Sequence, residues 1–231
     1  MIKIVIALLI SLSLSLGNEI VEICIIHTND IHGALFPSID LSDPGIPKPL
    51  YGGFAKIGNL VKQLKKENKN ILVLDAGDFY YGSPEGNKSQ GRTLIKIMND
   101  IGYDAVTPGN HDFAFGQQNL KQLAQLAHFP FLSANLYRTY DVRHPDFIKP
   151  FIIKQFGKLK IGIIGLTTTT AEKLATSKQL EGLSFTDERK ALTKYLKEMK
   201  RAGAKMIILV SHSGSKKDNE IARDFPMIDI I

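Results

Sequence analysis

Short apolar runs recur along the chain, and stretches with helical spacing separate most of them. Val21 to Ile26 is rich in β-branched residues, and Ile71 to Leu74 is a continuous apolar run. Ala105-Val106, Phe131-Leu132, Ile161 to Ile164 and Met206 to Val210 follow. Continuous rather than alternating hydrophobicity predicts strands covered on both faces. Between them the spacing predicts helices over Phe54 to Glu67, Gly91 to Ile101, Gln117 to Ala127 and Asp187 to Ala202. Thr186 or Asp187 is the candidate cap of the last helix, and Gly203 its stop. Phe151 to Phe156, then Gly157-Lys158, then Leu159 to Ile164 reads as a hairpin, which makes the sheet mixed. The class is therefore α/β.

Two segments stand apart from this pattern. Met1 to Gly17 has a positive start at Lys3, an apolar stretch and small residues at its end. It reads as a secretory signal peptide (residues 1–17), too short for a convincing membrane span. The expected compartment is then outside the cytoplasm, periplasmic or extracellular, with no stable membrane span after cleavage. Pro37 to Gly53 is rich in proline and glycine and reads as a long surface loop. No repeat, low-complexity tract or linker divides residues 18–231, so one domain is expected there.

Composition narrows the class. An apolar fraction of 44% and a charged fraction of 23% are ordinary for a folded globular chain and set disorder aside. The net charge of +6 would suit an anionic substrate. No basic run is interleaved with aromatics, so a nucleic-acid polymer is not the expected partner. The one cysteine, Cys24, lies in an apolar run and is expected to be a small buried hydrophobe. Cysteine-based zinc sites and disulfide scaffolds are excluded.

The chemistry lies at the ends of the expected strands. After the first comes His27-Thr28-Asn29-Asp30-Ile31-His32-Gly33, and after the second Asp75-Ala76-Gly77-Asp78. Beyond the third is Pro108-Gly109-Asn110-His111-Asp112, and after the last Ser211-His212-Ser213-Gly214. Ligands of open α/β sheets bind outside the carboxyl ends of strands, so four ends present Asp, His, Asn and Gly to one surface. Oxygen and imidazole donors suit Zn²⁺, Mn²⁺ or Fe. Two cations about 3.5–4 Å apart need a carboxylate between them, and such pairs clamp a phosphate. Asp78 is the natural bridge. Asn110 would ligate without adding charge, and His111 could protonate a leaving alkoxide.

These blocks resemble the signatures of the calcineurin-like metallophosphoesterase superfamily. Within it they are similar to the exported 5′-nucleotidase and 2′,3′-cyclic nucleotide phosphodiesterase branch. Tyr81-Gly82-Ser83-Pro84, Ser133-Ala134-Asn135-Leu136 and Ser211-His212-Ser213-Gly214 match that branch too. The resemblance implies a four-layer α/β/β/α sandwich with two divalent metal ions between its sheets. It implies Asp30 and His32 on the first metal, Asp78 as the bridge, Asn110 and His212 on the second, and His111 as the catalytic histidine. His27 is not implied as a ligand, and His128 and His144 are expected to be surface or loop residues. The implied activity is metal-dependent hydrolysis of nucleotides or other small phosphoesters.

Two departures qualify it. The family pairs its catalytic histidine with an aspartate three residues on, where this sequence has Ala114. Asp112, next to His111, is expected to point elsewhere, so a weakened general acid is predicted. The family also continues past a strand like Met227-Ile228-Asp229-Ile230-Ile231 into a Gly-His-x-His block and a base-recognising domain. On that expectation the site and fold are incomplete at the C-terminus. The alternative to an enzyme is then a truncated remnant that at most binds metal or phosphate.

Overall fold

The computed structural model of the 231-residue chain describes residues 20–39, 50–174, 176 and 178–231. The expected signal segment, residues 1–17, and residues 40–49 of the Pro37–Gly53 loop lie outside the described residues. The two ends of that loop meet as a small antiparallel pair, Ser38–Ile39 with Leu50–Tyr51.

Two sheets stack face to face. The first runs Cys24–Thr28, Ile71–Asp75, Ala105–Val106, Phe131–Leu132 and Ile148–Lys149, each strand beside the next and all parallel. In the second, Leu159–Thr167 lies between Met206–His212, parallel to it, and Phe151–Phe156, its antiparallel hairpin partner. The continuous apolar runs now have a reason. Successive side chains of a strand point to opposite faces. Leu72, Leu74, Ile161, Ile163, Ile208 and Val210 fill the space between the sheets. Val73, Val106 and Phe131 face the other way, onto helices Phe54–Glu67, Arg92–Ile101 and Gly116–Leu126. Ile164, Leu166, Ile207 and Leu209 pack against helices Glu188–Arg201 and Ser215–Asp224. Three separate apolar clusters thus make the four layers α/β/β/α.

The helix ends follow local chemistry. Asp187 caps Glu188–Arg201 by accepting from the Lys190 amide at 3.0 Å, and Gly203 leaves the helix at φ 89°. Ser83 caps the short helix Pro84–Ser89 by accepting from the Gly86 amide at 3.0 Å. Among the described residues no helix is long and apolar enough to cross a membrane.

One expectation needs correcting: Cys24 is in the first strand but only half-buried. His144 lies in the loop between Leu136–Arg138 and Ile148–Lys149, as expected, yet its half-buried ring is hydrogen-bonded on both sides. Its Nδ1 lies 2.7 Å from the Leu136 carbonyl, which makes Nδ1 the protonated nitrogen and Nε2 the acceptor for the Tyr195 hydroxyl. The Tyr195 oxygen in turn accepts from Lys194 Nζ at 3.0 Å and lies 3.2 Å from the Tyr137 hydroxyl. With His144 neutral, the Tyr195 hydroxyl donates to Nε2 while its oxygen accepts from Lys194 and Tyr137. Burial depresses the His144 pKa, the Leu136 carbonyl works the other way, and the Lys194 ammonium adds to the depression.

A second buried network ties the sheets together. Asn135 donates from Nδ2 to the Thr167 carbonyl at 2.7 Å and accepts the Thr167 amide at 3.1 Å on Oδ1. Ser133 donates to that same oxygen at 3.2 Å and accepts from the Thr167 hydroxyl at 3.0 Å. All three side chains are fully buried. Asn135→Leu strands these groups without partners and is expected to cost about 2–4 kcal/mol in urea unfolding. A loss below about 0.5 kcal/mol would show the network to be dispensable. For His144 the sign follows from a lowered folded pKa. Its stabilisation is complete above the unfolded value near 6.5 and is lost as pH falls below it. The melting temperature of the parent should therefore fall more steeply from pH 7 to pH 5 than that of His144→Gln; equal slopes would remove His144 from the account.

Candidate metal centre

The first two strands end in register, Thr28 opposite Asp75, and their loops stay zipped beyond the sheet. Ala76 donates its amide to the Thr28 carbonyl at 2.8 Å, Asp30 to Gly77 at 2.9 Å, His32 to Asp78 at 2.8 Å, and Gly33 to Phe79 at 3.1 Å. Thr28 locks the last rung by donating its hydroxyl to Asp75 Oδ2 at 2.6 Å. That zipper places Asp30 and His32 beside Asp78 and holds all three in the left-handed region, at φ 52°, 48° and 57°. Such conformations cost a non-glycine residue energy and persist only where surrounding contacts impose them.

Donor atoms of Asp30, Asp78 and His212 all lie within 4.8 Å of one another. His32 Nε2 stands 3.8 Å from Asp30 Oδ1 and 3.9 Å from Asp78 Oδ2, and His212 Nε2 stands 3.3 Å from Asp78 Oδ2. Asp78 is thus flanked by an imidazole on either side. Both imidazoles are fixed the same way, through Nδ1 to a main-chain carbonyl: Tyr81 for His32 at 2.7 Å and Ala76 for His212 at 2.6 Å. A ring protonated on Nδ1 presents its Nε2 lone pair, the arrangement that metal-bound histidines use. Asn29 donates to Asp30 Oδ2 at 2.7 Å and orients that carboxylate. Asn110 lines the same open cavity of about 570 Å³ as Asp30 and His212. This donor set fits a divalent cation.

Burial opposes charge on Asp78. The hydrogen bond and positive charge of His212 outweigh it, helped by the His111 amide, and leave the carboxyl below its ordinary range. His212 is the mirror image, with its pKa raised to about 9 because Asp78 overcomes the effect of burial. The His212 proton holds the place of positive charge that a cation would take. Asp75 is pushed up to about 7 by complete burial, against the Thr28 hydroxyl and the Gly77 amide.

One residue outranks its expectation. Asp112 points away from the surface, as expected of it, but is fully buried and takes three main-chain amides: Asp78 at 2.8 Å, Gly109 at 2.8 Å and Phe79 at 3.1 Å. It therefore joins the Asp78 loop to the Asn110-His111 loop. The close approach also requires glycine at 109, since a Cβ there would meet Asp78 Oδ1 at 2.2 Å. Nothing in the spacing of Asp112 along the chain signals this task, because the amides it serves belong to two different loops.

The six expected site residues come together unevenly. Asp30, His32, Asp78 and His212 share measured contacts, and Asn110 lines their cavity. His111 joins the group through its main chain, donating its amide to Asp78 Oδ1 at 2.8 Å. Its ring is exposed, edge-on to His32 at 5.2 Å and flat against Tyr81 at 5.7 Å. Ala114 ends the short 3-10 turn His111–Phe113, and its carbonyl accepts from Gln179 Nε2 at 2.7 Å. His27 is half-buried in its strand.

A family profile described as calcineurin-like phosphoesterase matches residues 24–229. The snake venom 5′-nucleotidase of Gloydius brevicauda is 34% identical over 222 residues, covering 95% of this chain and 37% of that protein. A probable 5′-nucleotidase of Treponema pallidum is 35% identical over 212 residues, covering 91% and 36%. The crystal structure of a 5′-nucleotidase precursor from Thermus thermophilus superposes with a TM-score of 0.78 at 31% identity, over 86% of this chain and 38% of that one. The chain therefore spans little more than a third of the length of these relatives.

Asp112→Ala leaves three amides buried without acceptors. It should destabilise the protein by about 3 kcal/mol or more, while Asp112→Asn, which keeps one acceptor oxygen, should cost less. Denaturant unfolding of both variants checks the order; an alanine variant within about 1 kcal/mol of the parent would contradict the bracing role.

Proposed function

The chain belongs to the calcineurin-like phosphoesterase family, and on that premise we propose that residues 18–231 form the catalytic domain of a metal-dependent phosphoester hydrolase of the 5′-nucleotidase type. The observation that carries this reading is the convergence of Asp30, Asp78 and His212 donor atoms within 4.8 Å at the ends of three strands. Asp30, His32 and Asp78 would hold one divalent ion, and Asp78, Asn110 and His212 a second. When bound, such a pair neutralises the phosphate and supplies a hydroxide nucleophile at neutral pH.

The chain's own residues do the remainder. The zipped loops and Asp112 hold Asp78 at its place before any ligand arrives, so little reorganisation opposes binding. The His32 and His212 Nδ1 bonds keep both Nε2 atoms turned toward Asp78. In this reading the exposed imidazole of His111 would hold a proton for the departing alkoxide oxygen, or donate to the phosphate while charge develops on it. A nucleotide is the proposed substrate, because the relatives named above are nucleotidases. Action outside the cytoplasm is the proposed location, consistent with the venom relative and the apolar start of the chain.

The second reading is a remnant that binds metal or phosphate without useful turnover. Ala114, where a carboxylate would orient His111, is the observation in its favour. Purified protein is to be assayed for phosphate release from AMP and from p-nitrophenyl phosphate, with and without Mn²⁺. Metal-dependent turnover that falls about 100-fold or more in Asp78→Asn is the expected outcome. A folded sample that takes up Mn²⁺ and releases no phosphate establishes the remnant instead.

A further inference from the structure

We propose that Tyr81 is the positioning residue of His111, its ring taking the place of a carboxylate partner that this sequence does not have. The inference rests on the hydrolase reading for its functional meaning but on geometry for its substance.

Position 114 is alanine, and its main chain is engaged by Gln179, so nothing from that residue can hold an imidazole. Among the described residues, the ring contacts of His111 are Tyr81 and His32. Tyr81 lies nearly parallel to the imidazole, with 10° between the planes and 5.7 Å between the centroids, the range of an offset stack. His32 meets the imidazole edge-on at 74°. A face on one side and an edge on another together define the plane of an otherwise exposed ring.

Tyr81 is itself held. Phe115 packs edge-on to it at 5.9 Å, and Phe115 stacks on buried Tyr80 at 6.2 Å. The half-buried Tyr81 ring is therefore linked, through the more exposed Phe115, to the buried Tyr80. Tyr81 also gives its carbonyl to His32 Nδ1 at 2.7 Å. One residue thus sets a candidate metal ligand through its main chain and the candidate acid through its side chain. These two roles separate experimentally, because a substitution at Tyr81 removes the ring and leaves the carbonyl.

The test compares Tyr81→Leu, Tyr81→Phe and the parent, with histidine isotopically labelled and His111→Gln used to assign the His111 resonances. The Tyr81 ring current acts on nearby protons, so loss of the stack moves the His111 ring proton resonances. The expected result is a shift of those resonances in Tyr81→Leu, with kcat lowered about 10- to 100-fold, KM changed less, and Mn²⁺ uptake by equilibrium dialysis retained. Tyr81→Phe, which keeps the ring, should restore the parent shift and recover kcat to within about threefold. Unchanged His111 resonances in Tyr81→Leu would overturn the proposal, as would moved resonances with unchanged kcat. If Tyr81→Leu does not fold, Tyr81→Gln with the same readouts decides the matter. A parent without turnover removes the hydrolase reading alone; the positioning of His111 then stands or falls on its resonances.

Discussion

The ends of the parallel strands confront the fold with one problem: main-chain amides that have left the sheet but not the interior. Each must find an acceptor, since an unpaired buried amide costs on the order of a kcal/mol or more. Asp112 answers for three of them, on Asp78, Phe79 and Gly109. Asp75 answers for Gly77 and takes the Thr28 hydroxyl as well. Two buried carboxylates, surrounded by donors, thereby define the course of the loops that carry Asp78 and Asn110. Both are opposed by burial, which pushes their pKa values up, and both remain because the amides around them have no other partner.

The centre is rigid for the same reason. Asp30, His32 and Asp78 occupy left-handed conformations that cost on the order of 1–3 kcal/mol each when nothing compensates them. Here the rungs from Asp30 to Gly77, His32 to Asp78 and Gly33 to Phe79 supply the compensation. The result brings two carboxylates and two imidazoles together before a ligand is present. Asp78 stands between His32 and His212, the arrangement that the proposed bridging role would use. The exposed His111 differs from these residues in kind, since its main chain is fixed by Asp78 while its ring depends on aromatic neighbours.

The second sheet contributes one member of the group, His212, and must therefore be locked to the first. Apolar packing of Leu72, Leu74, Ile163 and Val210 presses the sheets together without choosing a register between them. Directional bonds choose it. Thr107 donates to the Val210 carbonyl at 3.0 Å, Asn135 and Ser133 grip Thr167, and His212 itself reaches Ala76. These polar ties lie at the edge of the sandwich where the site opens, so the geometry of the centre and the docking of the sheets are one property.

Much of this was legible in the sequence. The apolar runs marked the strands to within a few residues, although the first begins at Cys24 rather than Val21 and the last extends to His212. Helix Phe54–Glu67 lies where its spacing places it, and the Asp, His and Asn residues at strand ends pointed to metal chemistry. The pairs Leu136–Arg138 with Leu183–Phe185, and strand Ile148–Lys149, were not legible, because such short strands exist only through distant partners. Helix Ser215–Asp224 is not legible in the sequence because it buries only Ile221 and shows almost no apolar face. The bracing by Asp112, the neutral lock on His144 and the stacking of Tyr81 on His111 were likewise decided by tertiary structure. Periodicity and residue type report on local preference and on which face is buried. Which buried carboxylate meets which amide, and which ring meets which imidazole, depends on contacts between loops tens of residues apart, and only the packed sheets bring those loops together.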